Sequence, residues 1–560
     1  MIGPHPPGRA ARCLGEGVKG AVARAETGLR PAALLGFARS PRPTPRVQLG
    51  FVIDHSRCIG CHACTVACKS ENQVPVGSFR TWVKYTEAGE FPAVKRSFAV
   101  LRCNQCTAAP CVTICPTGAL QKRPDGIVDV DPKICIGCKS CMQGCPYDAL
   151  YLNPDKGTAE KCHFCAHRAE QGLAPACAIV CPTEAIIPGD FHDPESRVSR
   201  LKREHELTAR KTEAGTGPNV FYLDAAPAGI DPLRASDAGG HLWAARHPEV
   251  PMEAREFDAL QAELEQRARA KTTYDVAHPP LWGWKISAYL LTKALAAGVF
   301  LAAIASGLWQ LQSAPHERAL ALGIPALGLM FLTLTSILLV ADLKRPERFY
   351  LILTRPNARS WLVRGTYALM GYGALLAFAF LWNWFEVEPV TLDWRFSLPT
   401  LLVAALSAAY TGWLFGQAKG RVLWMQQGLW LRLVLQATAA GAALFLTLAP
   451  WFEFEKDQVF GLNGTLLVAL GLLLFYSVFE GQLAPKGREE EYARTLALLK
   501  RGPFAKEHAF VGLLGGMILP MVLLVFGSEL GGQVAGVLVL TGLASEKSLL
   551  VRAGQALPIS

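Results

Sequence analysis

No cysteine follows Cys181 in this 560-residue chain, and only two histidines, His316 and His508, follow residue 280. The scarcity of histidine argues against haem b, which needs pairs of histidines on facing helices. Also missing are a Gly-rich nucleotide fingerprint, a Ser–His–Asp arrangement and a molybdenum-ligand motif, so substrate catalysis is expected elsewhere than on this chain. The net charge is +10, yet the basic residues neither cluster on one expected helix nor alternate with exposed aromatics, as a nucleic-acid surface requires. Residues 1–48 are rich in Pro, Arg, Ala and Gly and carry neither a signal-peptide core nor a twin-arginine pair. They read as a disordered leader or a misassigned start, and Cys13 within them has no expected role.

What is present divides in two. All 17 cysteines precede residue 182, while the long apolar runs begin after about residue 284. This length exceeds one ordinary soluble core, and the composition shift predicts a metal-rich soluble half followed by a membrane half. After Cys13 the cysteines form four groups: Cys58, Cys61, Cys64, Cys68; Cys103, Cys106, Cys111, Cys115; Cys135, Cys138, Cys141, Cys145; and Cys162, Cys165, Cys177, Cys181. Three groups end in Cys-Pro, and the third, CIGCKSCMQGCP, has the C-x2-C-x2-C-x3-C-P spacing of bacterial iron–sulfur ferredoxins.

The spacing has a geometric reason. Three thiolates on a tight loop wrap one corner of a cubane, and the fourth, placed before a proline, ligates a neighbouring cluster. Sixteen ligands then suit four [4Fe–4S] clusters. Zinc also accepts C-x2-C pairs but needs neither the third cysteine nor the trailing Cys-Pro. Disulfides require an oxidising compartment. Spacing alone leaves the partnering open, but groups two and three, joined by RPDGIVDVDPK as a turn and strand, have the length and order of a two-cluster ferredoxin. The favoured nested sets are therefore Cys58, Cys61, Cys64 with Cys181; Cys68 with Cys162, Cys165, Cys177; Cys103, Cys106, Cys111 with Cys145; and Cys115 with Cys135, Cys138, Cys141. His62, His163 and His167 adjoin these cysteines and read as neighbours rather than ligands.

Residues from about 50 to 224, through FVIDHSRCIGCHACTVACKSEN, RCNQCTAAPCVTICPTGAL, KCHFCAHR and GPNVFYL, resemble the four-cluster electron-transfer subunit of complex iron–sulfur molybdoenzymes, the dimethyl sulfoxide and polysulfide reductase group. The resemblance implies an α+β ferredoxin-like domain, supports the nested sets and implies a separate molybdopterin-containing catalytic subunit. Because Cys106 is present, it implies four cubanes rather than a three-iron cluster.

Residues 225–280 form an expected linker without an apolar core, with EFDALQAELEQRARA as a short amphipathic helix and AHPPLWGWK as a break before the bilayer. Trp282, Trp284 and Lys285 suit an interfacial anchor. Apolar stretches follow at about 285–311, 319–341, 362–384, 398–418, 429–449, 463–482, 509–527 and 531–553, the first seven each near the roughly 20 residues that cross hydrocarbon. The eighth is interrupted by Glu546, Lys547 and Arg552 and spans only if those charges pair or face the bundle interior. Connections at 342–364, 416–432 and 484–508 hold six, three and six Lys or Arg, against one, one, one and none on the alternate side. The asymmetry predicts a prokaryotic cytoplasmic membrane protein with its iron–sulfur domain cytoplasmic. Relatives with a catalytic subunit on the outer face keep that alternative open.

DLKRPERFYLILTRPNARSWLVRG and WGWKISAYLLTKALAAGVFL resemble the NrfD, or polysulfide-reductase, family of haem-free membrane anchors over most of 281–560. That resemblance implies menaquinone or ubiquinone bound near the cluster side. Quinone carbonyls need hydrogen-bond partners and a proton path, for which Tyr289, Lys293, Asp342 and Glu480 are the candidates. Asp342 has Arg345 or Arg348 as alternative partners, and Arg359 and Arg364 suit lipid headgroups or the iron–sulfur domain. The expected function is electron transfer between a membrane quinone pool and the catalytic subunit. Two rivals are a component of a larger quinol-oxidising complex with cytochrome c subunits, and an ion-translocating protein with a regulatory iron–sulfur module.

Overall fold

A computed structural model describes residues 47–89, 94–237, 270–308, 314–385, 389–452, 454–526 and 528–560. Cys13, nearly all of the leader and the helix expected over 256–270, apart from Ala270, lie outside the described residues. The first described strand, Leu49–Asp54, is a short apolar run and sits at the centre of a three-stranded sheet. It pairs antiparallel with Ile186–Asp190 and parallel with Val220–Leu223. The sequence extremes of this domain therefore meet across one strand, which brings Cys58 and Cys181 to the same end.

Inside that frame the chain repeats a small unit. The helix Pro110–Ile114 leads into the hairpin Leu120–Lys122/Val128–Val130, and Ser140–Gly144 leads into Leu150–Leu152/Ala159–Lys161. Each helix is only five residues long, too short to be stable alone, so its cysteines and the neighbouring hairpin must hold it. The expected turn and strand in RPDGIVDVDPK appear as the second strand of the first hairpin, with Gly126 at φ +81° in the turn.

The ends of the expected linker belong to the iron–sulfur domain. Ser236–Asp237 and Ala270–Tyr274 extend the sheet of Thr81–Ala88 and Lys95–Arg102 in the order 236–237, 270–274, 81–88, 95–102. Val276 packs with Trp82, Ala99 and Leu101. These segments carry too few apolar residues to signal a core, and they are buried because a strand edge supplies their hydrogen-bond partners.

Among the described residues, eight helices are long and apolar enough to cross a membrane: Trp284–Ala305, Arg318–Ala341, Trp361–Phe385, Trp394–Gln417, Leu429–Phe452, Lys456–Gln482, Glu507–Val525 and Glu529–Gly554. At 1.5 Å per residue, each reaches or approaches the ~30 Å of hydrocarbon. The first is the hub, with 78% of its apolar window buried against 28% for the second. It backs onto the fifth at Gly298 and Gly441, where a Cβ on either would strike the opposing backbone, the close approach that small residues allow. The eighth helix is long and apolar enough to span, and its Glu546 and Lys547 turn inward, 6% and 1% exposed.

The three basic connections all touch the iron–sulfur domain. Arg345 Nε donates to Lys156 O at 2.7 Å and Arg348 Nη1 to Pro132 O at 2.7 Å. From the next connection Lys419 Nζ donates to Ala214 O at 2.9 Å, and from the third Arg494 Nη1 donates to Leu233 O at 2.6 Å. The charge asymmetry thus marks the docking face as well as a membrane side. Gly137, with φ +68°, lies against Lys344, where a Cβ would stand 2.7 Å from the Lys344 Cβ, and a Cβ on Gly420 would stand 2.5 Å from Cys145 O.

Candidate functional site

The sixteen described cysteines are all free. Cys58 neighbours Cys61 and Cys181, and Cys64 neighbours Cys58. Cys68, Cys162, Cys165 and Cys177 surround one small cavity, and Cys115, Cys135, Cys138 and Cys141 surround another. Cys103, Cys106, Cys111 and Cys145 are mutual neighbours. These groupings coincide with the favoured nested sets. Among the described residues no three His, Cys, Asp or Glu side chains converge on a point that a single ion would occupy. Tetrahedral zinc draws its sulfurs to within about 3.8 Å of one another, whereas a cubane holds them farther apart around a larger body.

Successive sets are linked by buried cations that sequence reading missed. Arg102, fully buried, donates from Nη1 to Cys177 Sγ at 3.2 Å, lies near Cys64 and Cys162, and stacks 4.4 Å above the Phe51 ring. Its Nε and Nη2 have no protein partner, so the site offers donors to an anionic group in the neighbouring cavity. Lys161 is buried between Cys162 on one side and Cys103 and Cys111 on the other. Burial alone would lower its pKa, but those thiolates reverse the shift and raise it. The sets form a line: Cys64 meets Cys177, Lys161 bridges the second and third, and Cys111 meets Cys141 of the fourth. Cys61, at the far end, is exposed.

Burial pushes the Cys64 thiol up to about 11 and the Cys106, Cys138 and Cys145 thiols to about 12. Such thiols ionise only against strong positive charge, which iron supplies. The donor set therefore fits the all-thiolate ligation of iron–sulfur clusters. The adjacent histidines have other roles. His167 pairs with Glu71 at 2.7 Å, His62 packs against Tyr85 and Tyr274, and burial lowers His163 to about 4.

A cavity of about 510 Å³ lies where the fourth set meets the membrane half. Cys138 and Ser140 form part of its wall, and Leu332, Leu339, Leu362 and Leu369 supply apolar surface. Tyr289, Asp342, Ser336, Thr366 and Tyr410 contribute the polar groups. Asp342 pairs with Lys139 at 2.9 Å rather than with Arg345 or Arg348, whose side chains donate to the backbone carbonyls of Lys156 and Pro132. Burial raises the Asp342 pKa against the opposing pull of Lys139. Trp282 continues the wall, its Nε1 donating to Cys138 O at 3.4 Å and its ring stacking with Trp424 at 5.3 Å.

Of the four quinone candidates, the structure puts Tyr289 and Asp342 on this cavity and Lys293 and Glu480 away from it. Lys293 is 2% exposed and lies behind Tyr410, 4.4 Å from its ring centroid. Glu480 pairs with Arg432 at 3.0 Å in a different part of the bundle. Depth along a helix was readable from sequence, but azimuth was not, because these spans are apolar on all sides. Tyr410 was missed for the same reason, and Lys139, in the iron–sulfur domain, because it matters only through its pairing with the distant Asp342.

Residues 94–191 match the 4Fe-4S dicluster domain, and residues 273–558 match the polysulphide reductase NrfD model. The chain is 43% identical over 231 residues to a tetrathionate reductase subunit of Salmonella typhimurium, covering 40% of this chain and 91% of that protein. It is 37% identical over 225 residues to the arsenate respiratory reductase iron-sulfur subunit ArrB of a Shewanella species, covering 32% and 96%. Protein NrfC of Escherichia coli is 43% identical over 180 residues, covering 32% and 81%.

Proposed function

Because the chain belongs to the polysulphide reductase NrfD family and joins that membrane domain to a 4Fe-4S dicluster domain of the kind found in reductase iron–sulfur subunits, we propose that it exchanges electrons between membrane quinone and a separate molybdopterin-containing catalytic subunit. The observation that carries the reading is Cys138 on the wall of the 510 Å³ cavity. That volume falls in the range of small-molecule sites, and its apolar walls with few polar groups suit the head of menaquinone or ubiquinone.

In this reading the four nested cysteine sets hold four [4Fe–4S] clusters. Bound clusters supply single-electron transfer. Arg102 and Lys161 offset the negative charge that accumulates between successive sets. Tyr289 and Tyr410 present hydroxyls to a quinone carbonyl, and Asp342, kept in place by Lys139, takes or returns one proton. Quinol oxidation releases two protons and two electrons, so the cavity needs a proton acceptor and a sulfur-ligated exit within one wall. Exposed Cys61 and its set form the end of the line facing a catalytic partner. The basic connections support a cytoplasmic iron–sulfur domain.

The test is anaerobic reconstitution of the full chain into lipid with a short-chain naphthoquinol. Four cubanes require about sixteen irons and sixteen sulfides per chain, and the quinol should reduce part of the cluster signal in electron paramagnetic resonance. Clusters that dithionite reduces but the quinol leaves oxidised at every ambient potential would overturn the reading. The side of the membrane is checked by protease access to the iron–sulfur domain in sealed vesicles.

A further inference from the structure

A second cluster of buried ionisable groups lies away from the large cavity. Arg432 Nη1 donates to Glu480 Oε1 at 3.0 Å, and its Nη2 stands 3.7 Å from Glu546. Gln436 Nε2 donates to Glu546 Oε2 at 2.6 Å, while Lys547 Nζ donates to Gln436 Oε1. Lys293 lies within electrostatic reach of Lys547 and donates to Thr411 Oγ1 and, at 3.2 Å, to Ala408 O. Lys293 Nζ also lies 4.4 Å from the ring centroid of Tyr410, which together with Tyr289 lines the large cavity. Side chains from the first, fourth, fifth, sixth and eighth spans thus form a polar series that begins beside the large cavity, its Lys293–Lys547 step made across the packed first and eighth helices and not by a hydrogen bond.

The far end opens into a cavity of about 20 Å³ bounded by Arg432, Glu480, His508, Glu546 and leucines. That is room for a water molecule with several polar partners. Glu546 Oε1 has no protein partner, and the Glu546 side chain is 4% exposed. The seventh span begins with π-helical turns over Glu507–Ile518 that carry His508 to this cavity, and such turns concentrate at functional sites. At its rim Glu507 accepts from Ser545 and pairs with Arg552, half-exposed, at 2.8 Å. The helix Glu489–Lys500 next to it docks on the iron–sulfur domain through Arg494, so the rim lies on that side of the bundle.

A purely structural ion pair does not explain the composition. With every group ionised, Lys293, Lys547 and Arg432 against Glu480 and Glu546 leave one excess positive charge in an apolar interior. Low dielectric favours losing one proton from this set, and Arg432 is not the group that gives it up.

We propose that this series is a proton path joining the large cavity to water on the iron–sulfur side of the membrane, a reading that rests on quinone binding in that cavity. For each quinol oxidised two O–H bonds break, two electrons leave singly past Cys138 to the clusters and their external acceptor, and two protons leave. One is taken by Asp342, 13% exposed beside Lys139, and released from it to water on the iron–sulfur side, and the other goes through Lys293, Lys547 and Glu546 to water beside His508. Gln436 and Arg432 carry no proton and position Lys547, Glu546 and Glu480. Quinone reduction runs the same path inward.

The test uses the full cluster-loaded chain in proteoliposomes, a short-chain naphthoquinol as donor and ferricyanide as acceptor. Glu546→Gln and His508→Asn should each lower kcat by at least about ten-fold, keep the quinol KM within about two-fold and raise the solvent deuterium isotope effect. Cluster reduction by dithionite should be unchanged in both, which separates a blocked path from a damaged fold. Protons should appear on the iron–sulfur side. Wild-type kcat and isotope effect in both variants, or protons on the opposite side, would overturn the path. Wild-type protein that dithionite reduces but naphthoquinol does not would instead overturn quinone binding itself.

Discussion

In the iron–sulfur half the buried cations Arg102 and Lys161 face sulfur, with Cys177 3.2 Å from the first and Cys103, Cys111 and Cys162 around the second. In the membrane half the buried cations Arg432 and Lys547 face Glu480, Glu546 and Gln436. The difference separates two kinds of transfer. Iron-bound thiolates stay unprotonated, so a cation beside them tunes electron affinity without carrying protons. Carboxylates and amines in an apolar bundle exchange protons and move no electrons. Both kinds of group meet at the large cavity, where Cys138 and Asp342 share a wall.

The comparison breaks most completely when iron is removed. Chelation under reducing conditions should unfold the iron–sulfur half, since thiols that burial holds near 11 or 12 lose the positive charge that ionised them. Circular dichroism should show the sheets lost while the eight spans keep their helicity. Cys138→Ser should remove the cluster nearest the cavity and reduce quinol-driven electron transfer by about a hundred-fold or more, with the cluster farthest away still reducible by dithionite. Asp342→Asn should lower quinol turnover by about ten- to a hundred-fold, with iron content intact. Equal iron content but unchanged turnover in that variant would remove Asp342 from the proton side of the comparison.

A smaller effect concerns the seam between the halves. Burial alone would lower the His278 pKa, but Asp148 at 2.6 Å and Asp275 raise it from 6.5 to about 10. A raised pKa stabilises the fold fully below the unfolded value and is lost as pH rises through the folded one. Stability should therefore fall by a few kcal/mol between pH 6.5 and 10, and His278→Gln should flatten that fall. Chemical denaturation at several pH values checks the sign.

Legibility differed by distance along the chain. The cysteine groups were readable because a chelating loop is a local device, and three of each set's four ligands lie within a few residues or one short loop. The spans were readable because hydrocarbon thickness sets their length, and even Glu546 and Lys547 did not hide the eighth. The strands Ser236–Asp237 and Ala270–Tyr274 were not readable, since they owe their order to an edge provided by Thr81–Ala88. Arg102, the last residue of the strand Lys95–Arg102, belongs to no cysteine-spacing motif. Its role depends on Cys177, 75 residues away.

Spacing and hydropathy, taken alone, determined that sixteen cysteines would fall into four groups and that eight helices would be long and apolar enough to cross a bilayer, because both follow from contacts between near neighbours or with a uniform solvent. Only the tertiary structure decided which set borders the membrane cavity, that Asp342 answers to Lys139, and that Lys293 and Glu480 lie off that cavity in a polar series behind Tyr410. Those outcomes depend on helix rotation and on pairings between distant segments, and an evenly apolar helix carries no periodic mark of the direction in which it turns its few charges.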